Sequence, residues 1–349
     1  MRAVIYSAYA EPPVLTDVAD PSCPEGGVLI RVRATGVCRS DWHAWLGHDP
    51  VPLPMVPGHE LAGTVAVVGS GVSRWRVGDR VTVPFACGCG RCEQCAAGDT
   101  HVCPRQTQPG FTGWGSFAEV VAINAADTNL VALPESLGFV EAASLGCRFA
   151  TAYRAVVSQG RLAADQWLAV HGCGGAGLSA VAIAAALGAR VGAVDVSDAA
   201  LAAARAAGAV SVVQAAGLGS ADVATAVVEA TSGGPHLSID AFGSVATLAA
   251  SVGSLRPRGR HVQVGLLLGD EATSPVPMGR VIARELEILG GHGMPARDYP
   301  GMLAFVTAGR VNVAKLVGRV IGLDEAPEAL LAMSRPAISA GMTVVDLAN

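Results

Sequence analysis

A chain of 349 residues exceeds what one hydrophobic core ordinarily supports and predicts two domains. Its composition, 51% hydrophobic and 15% charged with 43 glycines, excludes a disordered or fibrous protein. The formal net charge of -5, with Lys315 the sole lysine, argues against a nucleic-acid partner and leaves small molecules.

In chain order, Met1 to Tyr6 reads as a strand and lacks the basic patch and apolar run of a secretory signal, so a cytoplasmic location is expected. Up to about residue 135, short Val- and Ala-rich strands are predicted at 28–34, 61–69, 79–85 and 117–124, separated by Gly and Pro. This half reads as antiparallel β structure. A helix is predicted over 141–157. Apolar strands then alternate with Ala-rich helices: strands at 167–171, 190–194, 210–213, 237–241, 261–265 and 286–290, with helices at 175–187 and 198–207 leading the series. Six strands with helical crossovers define an α/β doubly wound parallel sheet. From about residue 292 the texture is mixed, with a helix at 324–333 and a last strand at 342–347 expected to pack back on the first domain. The Ala-rich run at 176–187 falls short of the roughly 20 residues a membrane span needs, so no membrane partner is expected.

The strand ending at His171 runs into Gly172-Cys173-Gly174-Gly175-Ala176-Gly177 and then a helix, the context a dinucleotide fingerprint requires. Gly172 permits the tight turn, Gly174 and Gly175 let backbone approach a pyrophosphate, and Gly177 allows close helix packing, while the helix N-terminus offers free N–H groups. The next strand ends in Asp195, placed to accept hydrogen bonds from ribose hydroxyls and to repel a 2'-phosphate, which favours NAD over NADP. The alternative is a set of packing glycines and a helix-capping aspartate.

Cys89, Cys92 and Cys95, at three-residue spacing, followed by Cys103, offer four thiols for a closed structural zinc site that would pin a loop. Cys87 is the spare. A second set is dispersed: Cys38 within Gly36-Val37-Cys38-Arg39-Ser40-Asp41-Trp42-His43, then Gly58-His59-Glu60, then Gly146-Cys147-Arg148. Spacing alone does not separate these from buried thiols and a structural histidine.

With Gly58-His59-Glu60-Leu61-Ala62-Gly63 continuing through Gly69 and Val72 to Val77-Gly78-Asp79-Arg80-Val81, the chain resembles the zinc-dependent alcohol dehydrogenases of the medium-chain dehydrogenase/reductase superfamily along essentially its whole length. The resemblance implies a GroES-like β-rich catalytic domain over 1–149, completed by 293–349, and a Rossmann NAD-binding domain over 150–292. It implies Cys38, His59 and Cys147 as ligands of a catalytic zinc, with Glu60 as a carboxylate behind them. Polyol dehydrogenases of the superfamily commonly carry an acidic residue at the Cys147 position, so the thiol favours the alcohol branch. Ser40 and His43 match the family's proton relay, the alternatives being a helix-capping serine and a surface histidine. Arg39 is placed to reach the pyrophosphate, or is a solvated arginine; Thr151 is placed behind the nicotinamide. Phe85 and Trp45 are pocket walls or core residues. The cofactors implied are NAD and two zinc ions, one catalytic and one structural; the partners are an alcohol or carbonyl substrate and further copies of the chain, as a homodimer or homotetramer. One departure stands out: Met342-Thr343 occupies a segment where some relatives place an arginine on the pyrophosphate. A zinc-free reductase, a noncatalytic relative and a zinc-ribbon nucleic-acid binder fit less well, because every ligand and relay position is intact and the charge is acidic.

Overall fold

The computed structural model describes residues 1–335 and 341–347. The chain divides into two compact units, one formed by Met1–Ala150 with Gly293–Asn349 and the other by Thr151–His292.

The first unit is built on a seven-stranded sheet whose organising member is the ten-residue strand Val28–Val37. Val28, Ile30 and Val32 are buried at period two while Arg31 is exposed, the pattern of a strand with one face on a core. Its neighbours are Glu60–Val68 on one side and, on the other, Val120–Ile123 against its first half and Met342–Asp346 against its second, all antiparallel. The C-terminal strand therefore does return to this unit, and Val317–Ile321 adds outside it. The strand expected over 79–85 is confined to Arg80–Thr82. Pro84 follows closely, and its missing N–H cannot extend the ladder.

The register of the central pair places the site. Gly36 lies opposite Glu60, so Cys38, just past the end of Val28–Val37, comes beside His59, just ahead of Glu60–Val68. The segment expected as one helix over 141–157 is instead Phe139–Ser144, a π-helical turn Leu145–Phe149, then Ala150–Arg154 and a second π-helical turn Ala155–Gln159. Such wide turns insert a residue and re-aim side chains, and this first one carries Cys147 and Arg148.

In the second unit six parallel strands lie in the order Ser211–Gln214, Arg190–Asp195, Trp167–His171, Leu237–Asp240, Arg260–Gln263 and Glu287–Gly290. Reversal of strand order occurs beside Trp167–His171, and the glycine turn follows that strand directly. Leu168, Ala169, Val170, Val191 and Ala193 are buried, as a sheet covered on both faces requires. No helix among the described residues is long and apolar enough to cross a membrane.

Candidate active site and metal centres

Cys38, His59 and Cys147 converge in the first unit, with one ligand atom of each lying within 4.8 Å of the others. Cys38 and His59 are buried. His59 Nδ1 is 2.9 Å from Asp41 Oδ1, which also accepts the Gly58 N–H at 3.0 Å, while Asp41 Oδ2 accepts the Cys38 N–H at 2.9 Å. One buried carboxylate thus ties together the backbone of both ligand segments and fixes the imidazole's orientation. The other ring nitrogen, His59 Nε2, is buried without a hydrogen-bond partner. A buried nitrogen beside two thiols, with its opposite side tied to a carboxylate, is a donor set that suits a soft divalent ion such as zinc.

Burial pushes the His59 imidazole toward neutrality, but Asp41 and Cys38 outweigh it and raise its pKa well above the ordinary range. The Cys38 thiol is held well below its usual range by the hydrogen bond from Cys147, with Arg148 and His59 adding to this, and the same contact pushes Cys147 up. The two thiols thus compete for a single negative charge, and a bound cation is what would let both sulfurs ionise.

Glu60 is fully buried. Its Oε1 accepts the N–H groups of Cys147 at 2.9 Å and Arg148 at 3.2 Å, and the Arg148 guanidinium spans both carboxylate oxygens. Burial raises the Glu60 pKa, and Arg148 opposes that rise. Gly36 makes the room, since a Cβ there would stand 2.4 Å from Glu60 Oε2. Asp41 and Arg148, which brace this centre, carry no role in the reading of the sequence. Both stand inside quoted motifs, but a signal for them exists only in the tertiary contacts they make.

Ser40 and His43 lie on the helix Arg39–Trp45 that follows Cys38, both partly buried. Burial, His48 and Arg39 lower the His43 pKa, leaving it a neutral base near pH 7. Arg39 places its Nη1 2.6 Å from the Met333 carbonyl and its guanidinium over the Trp42 ring. Phe85 and Phe111 present rings edge-on to His59, at centroid distances of 6.0 and 5.2 Å. Trp45 is a core residue instead, packed with Tyr6, Val51, Met55 and Leu330, with its indole N–H on the Glu11 carbonyl. Met342 is buried in the sheet.

Cys89, Cys92, Cys95 and Cys103 also bring their sulfurs within 4.8 Å of one another. Cys103 Sγ accepts the N–H groups of Cys89 and Arg105 at 3.4 and 3.3 Å, and the Arg105 guanidinium reaches Cys89 Sγ at 3.4 Å. Backbone N–H donation from Arg91 brings Cys89 down to about 6, while burial pushes Cys95 up to about 12. Four thiols at this separation, with donors already aimed at two of them, fit a tetrahedral metal. Cys87 lies outside the cluster in the hydrophobic core, its thiol pushed up to about 12 by burial.

In the second unit Gly172 adopts φ +89°, and a Cβ at Gly177 would stand 1.9 Å from the Gly172 carbonyl oxygen, so neither position accepts a side chain. Gly174 precedes the helix Gly175–Ala186, and a Cβ on it would meet nothing within 4 Å, which marks an open face at the helix start. Asp195 Oδ2 accepts the Cys173 N–H at 2.7 Å and Oδ1 the Ser197 N–H at 2.9 Å. The carboxylate thus braces the glycine turn and retains lone pairs for further donors. Thr151 is buried on Ala150–Arg154.

Residues 24–135 match the family described as the alcohol dehydrogenase GroES-like domain and residues 175–308 that described as zinc-binding dehydrogenase. An alcohol dehydrogenase of Geobacillus stearothermophilus is 34% identical over 315 residues, spanning 89% of this chain and 90% of the relative. Among solved structures, alcohol dehydrogenase TADH from Thermus sp. ATN1 superposes with a TM-score of 0.91 at 29% identity, covering 99% and 100% of the two chains. A dehydrogenase from Sinorhizobium meliloti, solved with NADP, does so at 0.86 with 28% identity, covering 99% and 98%. A GroES-like unit and a Rossmann unit, the first with a Cys-His-Cys centre, define a medium-chain dehydrogenase, and this chain belongs to the zinc-type alcohol dehydrogenase family of that superfamily. It is accordingly an oxidoreductase.

Proposed function

We propose that the chain is a zinc-dependent, NAD-linked dehydrogenase that reversibly converts an alcohol to its aldehyde or ketone. The observation that carries this reading is the buried trio of Cys38, His59 and Cys147 with His59 Nε2 lacking a partner. Zinc bound there supplies a Lewis acid that acidifies an alcohol hydroxyl, and a nicotinamide supplies the hydride acceptor. Asp41 holds the imidazole in the orientation that aims Nε2 at the trio. Ser40 takes the hydroxyl proton and His43, neutral near pH 7, passes it outward. Phe85 and Phe111 wall the site with apolar surface, which keeps water from the reacting atoms. Thr151 supports the nicotinamide, and Arg39 contributes to the pyrophosphate when it leaves the Met333 carbonyl. The four-cysteine cluster holds a second, structural zinc, and the six cysteines of the two centres suit a reducing, cytoplasmic compartment. A homodimer or homotetramer is the expected assembly.

NAD is favoured because the negative charge of Asp195, at the end of the second strand, would repel a 2'-phosphate. The NADP bound to the Sinorhizobium meliloti protein keeps NADP as the second reading. Both are tested by one experiment: reduced nicotinamide is followed while the purified protein meets a panel of alcohols with NAD or NADP, with and without a zinc chelator. Chelator-sensitive reduction of NAD, at least tenfold above NADP, is expected; reduction that a chelator leaves untouched would remove the zinc role.

A further inference from the structure

The helix that carries Ser40 and His43 ends in a way that brings a second histidine onto the first. After Leu46, Gly47 takes φ +79° and donates its N–H to the Ala44 carbonyl at 3.0 Å, and the His48 N–H reaches back to the His43 carbonyl at 2.9 Å. This pair of bonds is a Schellman turn, which folds the residue after the glycine back over the last helical turn. Here the residues so paired are His48 and His43. Their Nδ1 atoms are 3.2 Å apart and their ring centroids 5.4 Å apart. Trp42 meets both rings edge-on, at 5.0 and 5.6 Å. The turn is held against change, because Gly47 has a positive φ and a Cβ on it would stand 3.0 Å from the Tyr9 ring. His43 is partly buried and His48 is exposed.

Two ring nitrogens at that distance share one hydrogen, one ring donating and the other accepting. We propose that His48 is the outer station of the proton relay, taking the proton of alcohol oxidation from His43 and releasing it to water. The proposal rests on the reading of Ser40 and His43 given above. With His43 as the Nδ1–H tautomer, a proton arriving at its Nε2 makes the ring a cation. Its Nδ1–H bond then breaks as a new N–H bond forms at His48 Nδ1, and His48 loses its Nε2 proton to solvent. No electrons are transferred, and carbonyl reduction runs the same path inward. The groups facing His43 are Arg39, His48, Cys38 and Asp49: the first two drive a proton off it, while Cys38 and Asp49 hold it. Burial also disfavours the charged ring, so His43 hands a proton on and does not store it.

The test uses His48→Gln, which keeps a hydrogen-bonding side chain at an exposed position and cannot relay a proton. Proton release during the first turnover is followed by stopped flow with a pH indicator in weakly buffered solution, with and without added imidazole. Release at least threefold slower than wild type below pH 7, with KM for the alcohol unchanged and imidazole restoring the rate, is expected; this is smaller than the roughly 10²-fold of a primary acid–base group. In the same protein without substrate, the ring signals of His43 are expected to titrate at higher pH than in wild type, since a charged neighbour is gone. An unchanged release rate in His48→Gln overturns the proposal. A slower rate that imidazole fails to restore does so too, since it would make His48 a structural cap. A wild type that oxidises no alcohol fails earlier and removes the functional reading itself, so the two failures are distinguishable.

Discussion

Glu60 and Arg148 form an ion pair with the carboxylate wholly enclosed and the guanidinium nearly so. A pair of this kind contributes little net stability, because its mutual attraction mostly offsets the desolvation of both charges. Removing one partner is different. Arg148→Ala strands an enclosed carboxylate without its counter-charge and is expected to cost about 3–5 kcal/mol in urea unfolding. The double variant Arg148→Leu with Glu60→Gln should recover most of that loss; a double variant no more stable than the single one would show that Arg148 matters through packing instead. The pair also restrains the carboxylate that accepts the Cys147 N–H, so the same single variant reports on how firmly Glu60 is held.

At the scale of elements, the cysteine lobe between Cys89 and Cys103 contains only the short helical turns Glu93–Ala96 and Thr100–Val102, too little to fix a loop by packing. A metal closing four thiols would supply the missing constraint. Cys92→Ser is therefore expected to lower Tm by several degrees and the zinc content from two per chain toward one, while turnover per remaining zinc changes little. Equal loss of turnover and stability would place this lobe in the chemistry. Elements of this kind were also the most readable in the sequence. Trp167–His171 and Arg190–Asp195 carry near-continuous apolar runs, all six parallel strands lie within two residues of their expected positions, and the glycine turn is marked by the strand and helix that flank it. Helical periodicity alone did not reveal the π-helical turn at Leu145–Phe149, because one inserted residue leaves the apolar pattern on both sides intact. The partners of Asp41 and Arg148 were unreadable for another reason: Asp41 meets residues 17 and 18 positions away and Arg148 one 88 away, and no local pattern records such a meeting. His48 belongs to no motif in the sequence, although Gly47 before it is the usual mark of a helix end.

For the molecule as a whole, the histidines give stability a definite pH dependence. His171 is buried with neither ring nitrogen bonded, and burial takes its pKa to about 3. Burial likewise lowers His236, His261 and His292, in the same unit. Each of these depressed bases is neutral when folded and takes up a proton when unfolded, so its contribution is fully present above about pH 6.5 and is lost as pH falls toward its folded pKa. Between pH 6 and 4.5 the unfolding free energy should drop with acidity, His171 alone contributing a slope of about 1.4 kcal/mol per pH unit. His171→Val removes that slope; urea midpoints that fall with acidity as steeply in the variant as in wild type would count against it.

The strand Met342–Asp346 pairs with Val28–Val37 inside the first unit's sheet, although some three hundred residues of chain separate them. On the ribosome this has an order built into it. The second unit has all six of its strands in hand once Gly290 has emerged, whereas the catalytic sheet waits with an open edge beside Gly36 and Val37 until Met342 arrives. That open edge adjoins Cys38, so during synthesis the segment leading to Cys38 has unpaired backbone until the late strand covers it. The closing of the sheet beside Cys38 is in this way the last event in the making of the first unit, set by where the final strand lies in the sequence.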